Sequence, residues 1–215
     1  MAHLQPQDGP ALDALAPVLA ASEAVMGFVP NSMLTMAHMP QLTMAFSMLA
    51  GTVFGGDLKA QMAAFSEHVP EQTDAHRNLP PTLVQLIAFS VSVASGCRYC
   101  QAHTSHNFTR FGEDAGKLDE VLRYEESTVL SEAEKAVVGL ALAAGRVPNE
   151  ANADHFDALR AHFDERQITQ IVAVISLFGF LNRWNDTMAT QLESNPVAFA
   201  EANLGEFGWA PGKHG

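Results

Sequence analysis

The stretch PTLVQLIAFSVSVASGCRYCQAHTSH, residues 81–106, decides the fold. Leu83, Leu86, Ile87, Ser90 and Ala94 recur at helical spacing, and a proline at 80 or 81 is tolerated in a first turn, so a helix is expected up to Ser95. Gly96 suits a sharp join, because glycine accepts the left-handed backbone angles at which one helix stops and the next begins. A second helix is expected from Cys97, and the residues through Phe111 contain no Gly or Pro to interrupt it. Both cysteines of the chain and two of its nine histidines, His103 and His106, sit in this junction.

The rest of the chain is helical by the same reading. Leu12, Leu15, Val18 and Leu19, with Val25 and Met26 after a polar Ser22, form one stripe that Pro17 breaks or kinks. Met33 to Val53 is rich in Met, Leu, Ala and Phe and is divided by Pro40 into a short and a longer helix, with the methionines read as adaptable core. Residues 67–81 are polar and proline-containing and form a connection, in which His68 and His76 are solvated. Ser131 with Glu134, and Asp164 with Gln167, have capping-box spacing, and Gly145 followed by Pro148 closes the helix that Ser131 opens. The segment 171–181, IVAVISLFGFL, is apolar on nearly all sides, which suits a helix at a bundle centre or a subunit interface. No alternating strand pattern, glycine-rich phosphate loop or repeat is present. The expected fold class is all-α. A single helical domain over 1–215 is expected, with an N-terminal helical layer at about 10–66, a redox core at about 80–193 and an irregular tail at 205–215 that wraps a neighbouring subunit.

Composition narrows the function classes. With 12 Lys and Arg against 24 Asp and Glu, the formal charge is −12, so a phosphate backbone or an anionic membrane surface is repelled, and neither nucleic acid nor membrane is an expected partner. The apolar run at 171–181 falls short of the roughly 20 residues that span a bilayer. The opening MAHLQPQDGPALDAL does not read as a secretory signal, so a cytoplasmic location is expected. Thiols there are kept reduced, which favours a catalytic or metal role for a close cysteine pair over a structural disulfide.

At the start of a helix the thiolate of Cys97 meets unpaired N–H groups and the positive end of the dipole, which lower a cysteine pKa. Cys100 lies three residues on, nearly above it, and His103 three further, where a base favours Cys100 as nucleophile. The residues alone leave both cysteines open for that role. Cys97, Cys100, His103 and His106 also imitate four zinc ligands. On one helix, however, each step of three turns back by about 60°, so the first and last point apart and lie roughly 13 Å distant along the axis. No metal is expected. A thioredoxin-like domain is disfavoured, because its redox pair follows a strand and this one follows a helix.

The segment FSVSVASGCRYCQAHTSHNFTRFG resembles the core motif of the alkylhydroperoxidase D-like, carboxymuconolactone decarboxylase superfamily. MGFVPNSMLTMAHMPQL and ISLFGFLNRWNDTMATQLE resemble its longer peroxidase-related members, so the likeness covers roughly residues 25 to 195. It implies an AhpD-like helical bundle, a homo-oligomer, and a thiol peroxidase or related disulfide chemistry. It implies Cys100 as the cysteine attacked by peroxide and Cys97 as its resolving partner, which agrees with the spacing that makes His103 the base. Three positions depart from the pattern: Gln85 replaces a glutamate twelve residues before the first cysteine, Tyr99 replaces a histidine, and the usual histidine position is Thr104. An amide cannot take a proton as a carboxylate can, so the usual relay is interrupted.

The function expected on this basis is hydroperoxide reduction to alcohol and water. Cys100, Cys97 and His103 act, Gln85, Tyr99 and His106 support, no cofactor is bound, and an external dithiol protein supplies electrons. The alternatives are a general thiol–disulfide oxidoreductase without peroxide activity and a non-catalytic helical oligomer that binds a partner or small apolar ligand through its Met-rich helices. Elsewhere, His38 is expected to be packed, His155 and His162 half-exposed, and Arg183, Trp184 and Asn185 to line a helix face, pocket or interface.

Overall fold

The computed structural model describes residues 2–215. Every regular element among the described residues is a helix, as the absence of strand patterning predicts. The chain divides into two compact units at Asn78 and Leu79, inside the polar connection read at 67–81.

The first unit opens with a 3-10 turn, Gly9–Leu15, that passes into α1 (Ala16–Met26). Pro17 therefore ends the tight turn and sits in the first turn of α1, where its missing N–H leaves no bond unmade. Three helices follow: α2 (Asn31–Met36), α3 (Pro40–Val53) and α4 (Leu58–Phe65), with Pro40 opening α3 and Asp57 capping α4 through Ala60 N–H at 3.0 Å. Leu15, Val18, Leu19, Met33, Ala37 and Met44 form the core of the unit, which gives two of the methionines the packing role expected of them. Val25 and Met26 depart from the expected stripe and are exposed, because α1 runs past the last residue of this cluster. His38 is half-buried, its ring held by the Gln7 side chain and the Gln5 carbonyl.

The second unit is built on α5 (Pro81–Ser95), which packs against α6 (Arg98–Arg110), α8 (Glu132–Ala144) and α10 (Glu165–Met188). The short α7 (Gly116–Asp119) precedes α8, α9 (Ala153–Arg160) follows it, and α11 (Ser194–Asn203) lies against α6. Seven consecutive residues of α5, Leu86 to Ser92, are buried, so α5 is the central helix. That corrects the placement of α10 at a bundle centre: Ile171 and Ile175 face inward, whereas Leu177, Phe180, Trp184 and Met188 form an exposed apolar stripe. Leu86, Phe89, Phe108, Leu118, Val138 and Leu204 are core residues of this unit, each side chain worth about 1.5–3 kcal/mol on burial.

Both expected capping boxes form. Ser131 Oγ accepts from Glu134 N–H at 3.3 Å while Glu134 accepts from Ser131 N–H at 2.8 Å, and Asp164 and Gln167 repeat the arrangement at the start of α10. Gly145 ends α8 for a reason other than a left-handed turn. It keeps right-handed angles, and a Cβ there would lie 2.8 Å from Ala94 Cβ and 2.9 Å from the Val91 carbonyl oxygen, so glycine lets the end of α8 touch α5.

The tail holds two short 3-10 turns, Gly205–Phe207 and Gly212–His214, with irregular backbone between them, and it folds back on its own unit. Trp209 Nε1 donates to the Arg98 carbonyl at 3.2 Å, and Leu192 N–H donates to the His214 carbonyl at 2.8 Å. His214, next to the last residue, is 1% exposed.

Candidate active site

The junction between α5 and α6 is a Schellman turn. Gly96 takes φ +74°, Gly96 N–H donates to Val93 O and Cys97 N–H to Ser92 O, each at 3.1 Å. This turn leaves Cys97 as the N-cap of α6, and its Sγ accepts from the backbone N–H of Cys100 at 3.5 Å. Both cysteines are reduced and buried. The Cys100 thiol donates to Cys97, which together with the Cys100 and Tyr99 backbone N–H groups pulls the Cys97 pKa below its ordinary value despite burial and the nearby Asp186 charge. The same bond, burial and the Cys97 charge push the Cys100 pKa up, against a smaller opposing effect of Asn185, whose Nδ2 donates to Cys100 Sγ at 3.5 Å. The electrostatics thus place the negative charge on Cys97, the cysteine favoured by the helix terminus.

The other residues singled out from sequence are distributed differently. His103 Nδ1 donates to the Tyr99 carbonyl at 3.0 Å, its Nε2 lies 2.8 Å from Glu193 Oε2, and its ring stacks on Tyr99 with centroids 4.3 Å apart. Both ring nitrogens are thus committed to oxygen partners, and the expected His103-to-Cys100 contact is replaced by one to Glu193. Tyr99 hydroxyl donates to Glu193 at 3.2 Å. His106 packs on Phe199 at 5.6 Å between centroids. Gln85 is half-buried on α5, and its buried Oε1 meets no donor among the described residues. Cys97, Cys100, His103 and His106 do not converge on one point, in keeping with the helix geometry.

What converges on Cys97 comes from the far end of the chain. Cys97 Sγ, a carboxylate oxygen of Asp186 and a ring nitrogen of His214 lie within 4.8 Å of one another. His214 Nδ1 donates to the Thr190 carbonyl at 2.9 Å, which turns Nε2 toward Asp186 Oδ1 at 3.1 Å. A second carbonyl-held imidazole nitrogen, a carboxylate and a thiolate form a donor set that can take a proton or a divalent cation. Sequence reasoning passed over Asp186 although it adjoins the noted Asn185, and read the tail around His214 as irregular. Neither has a local pattern, since each reaches Cys97 only through tertiary packing. Asp186 also lines a cavity of about 550 Å³, together with Val91, Ser95, Asn182 and Arg183 among others.

An all-helical unit with a buried dithiol at a helix N-terminus defines a class of thiol proteins. The carboxymuconolactone decarboxylase family model matches residues 57–143, and the debrominase Bmp8 is 32% identical over 95% of this chain and 97% of that one, with a TM-score of 0.55. A cysteine-to-alanine variant of Bmp8 in complex with 2,3,4-tribromopyrrole is similar at 31% identity, 96% and 98% coverage and a TM-score of 0.56. The Escherichia coli (strain K12) protein YnjA is 26% identical over 110 residues, so the chain spans 60% of that relative's length and the alignment 51% of this chain. A protein from Agrobacterium tumefaciens, 24% identical over 64% of this chain and 91% of its own, shares the fold with a TM-score of 0.50. The chain belongs to the carboxymuconolactone decarboxylase family.

Proposed function

We propose that the chain is a dithiol-dependent reductase. The Cys97 thiolate attacks an electrophilic substrate, and Cys100 then closes a disulfide that an external dithiol protein reduces. The observation that carries this reading is the place of Cys97 as N-cap of α6, its Sγ accepting from the Cys100 N–H at 3.5 Å, an arrangement in which the Cys97 pKa is lowered and that of Cys100 raised. A lowered thiol is the nucleophile at neutral pH, and a neighbouring protonated thiol is placed to resolve what forms on it. This reading exchanges the roles that the resemblance implies for the two cysteines, while keeping both.

The substrate we assign first is a hydroperoxide: the thiolate takes the terminal oxygen, an alcohol leaves, and Cys100 condenses with the sulfenic acid to release water. His103, tied to Tyr99 and Glu193, then holds the first turn of α6 rather than removing a proton from Cys100. The likeness to Bmp8 along nearly the whole chain favours a second acceptor, a bromine on an electron-rich ring, drawn off by the same thiolate. Its support is that a bromopyrrole complex was formed with a cysteine variant of that relative. The exposed stripe Leu177, Phe180, Trp184 and Met188 on α10 is the face on which we place a second copy of the chain.

Anaerobic reaction of the reduced protein with one equivalent of tert-butyl hydroperoxide, of 2,3,4-tribromopyrrole or of a small disulfide separates these readings by thiol counting and product analysis. Loss of both thiols per peroxide supports the peroxidase. Loss only with the bromopyrrole makes the chain a dehalogenase, and loss only with the disulfide a general oxidoreductase. Retention of both thiols throughout contradicts the dithiol reading.

A further inference from the structure

The attack just described leaves a strong base behind. When the Cys97 thiolate takes oxygen from a hydroperoxide, the O–O bond breaks and an alkoxide departs. When it takes bromine from a ring, a carbanion remains. Either needs a proton at once, and Cys100 does not supply it, since its own proton leaves with water or bromide in the second step. The site therefore calls for a separate acid close to Cys97.

The C-terminal tail provides one. The Thr190 carbonyl can only accept, so His214 Nδ1 carries a hydrogen. Asp186 Oδ1, 3.1 Å from Nε2, also accepts unless it is protonated, so the bond between them requires one further proton shared by the two groups. Both groups lie within 4.8 Å of Cys97 Sγ, with the His214 side chain 1% and the Asp186 side chain 36% exposed, so that proton sits beside the sulfur on a pair that solvent reaches through Asp186. The charged and titratable groups around it are Lys213, whose Nζ is 3.5 Å from Asp186 Oδ2, Tyr99, whose ring is 6.0 Å from the His214 ring and whose hydroxyl meets Glu193, and Cys100. Asp186 also lines a cavity of about 550 Å³, which gives a small substrate room beside this carboxylate.

We propose that Asp186 and His214 form the acid of this site, passing their shared proton to the alkoxide or carbanion that departs as Cys97 attacks. The proposal rests on the dithiol reading. For a hydroperoxide the balance is Cys97 thiolate, Cys100 thiol, ROOH and the pair's proton giving disulfide, ROH and water. Two electrons pass from the two sulfurs to the O–O bond. A dithiol donor then reduces the disulfide: its two protons restore the Cys100 thiol and the Asp186–His214 pair, and Cys97 emerges as thiolate. Through His214 the segment after α11 becomes part of the active site, with Trp209 pinning it to α6.

The test compares leaving groups in single-turnover oxidation of the reduced full-length protein, each rate referred to the thiolate fraction measured by ultraviolet absorbance. tert-Butyl hydroperoxide expels a strongly basic alkoxide that needs the proton. Peracetic acid expels acetate, which does not. His214→Gln and Asp186→Asn are each expected to slow the first reaction about 100-fold and leave the second within a few-fold of the parent. Asp186→Asn keeps the side-chain shape and decides the matter if His214→Gln loses its helical circular dichroism. Equal losses with both oxidants, or no loss with either, would overturn the acid while leaving the dithiol reading intact. A parent protein inert to both oxidants, to 2,3,4-tribromopyrrole and to a small disulfide would overturn the two together.

Discussion

Cys97 Sγ, at the N-cap of α6, accepts a hydrogen bond from the Cys100 backbone N–H at 3.5 Å, and the neighbouring Cys100 thiol lowers the Cys97 pKa further. One residue thereby stabilises the charge on the first sulfur and keeps its own proton. The pair is polarised before any substrate arrives.

The first expectation concerns pH. Cys97 lies below the ordinary thiol value of 9.0, so its thiolate persists at lower pH, and alkylation by iodoacetamide should rise with pH through a midpoint below that value. Cys100→Ala removes the largest stabilising contact and should move the midpoint upward. Peptide mapping should place the first label on Cys97. A midpoint at or above 9.0 would contradict the polarisation.

The contact between α5 and α8 is tested by Gly145→Ala. The added Cβ would meet Ala94 and the Val91 carbonyl inside normal contact distance, so the helices must separate. Thermal unfolding should show a loss of about 1–3 kcal/mol. An unchanged midpoint would mean that α8 ends with room to spare.

Ser131→Ala removes a cap from α8 and should cost about 1 kcal/mol. Its partner Glu134 adds a pH dependence. Burial would raise its pKa, but Lys117 and Ser131 together hold it below the usual 4.5. A depressed carboxylate contributes stability that is present above the unfolded value and lost as pH falls through the folded one. The stability gap between the parent and Glu134→Gln should therefore be full above about pH 4.5 and close below it.

Trp209→Phe keeps the ring's apolar bulk and deletes the donor to Arg98, for a cost of about 1 kcal/mol. Limited proteolysis should cut the tail of the variant sooner than that of the parent. Equal rates would show that the tail is held elsewhere.

The legible parts of the fold were those with local causes. The Gly96 join, the Ser131 and Asp164 caps and the roles of Pro17 and Pro40 follow from chemistry that acts within one turn. The sequence leaves α10 between a bundle centre and a subunit interface, because it is apolar on several faces and sequence does not say which apolar face a neighbour covers. α5 is the helix whose residues Leu86 to Ser92 are all buried, and α10 keeps one stripe in the open. At the site, Cys97 and Cys100 were visible as a motif. His103 has the spacing for Cys100, yet a carboxylate ninety residues away in sequence, Glu193, captures its ring. Asp186 and His214 have no local signature, because their meeting depends on a tail folded back over its own unit.

Serine variants under single-turnover conditions test the central claim most directly. With one equivalent of hydroperoxide, reduced Cys100→Ser should react about as fast as the parent and accumulate a sulfenic acid on Cys97 that dimedone labels. Cys97→Ser should lose the fast reaction. The reverse pattern, a fast Cys97→Ser and an unreactive Cys100→Ser, would contradict the assignment of Cys97 as the attacking thiolate.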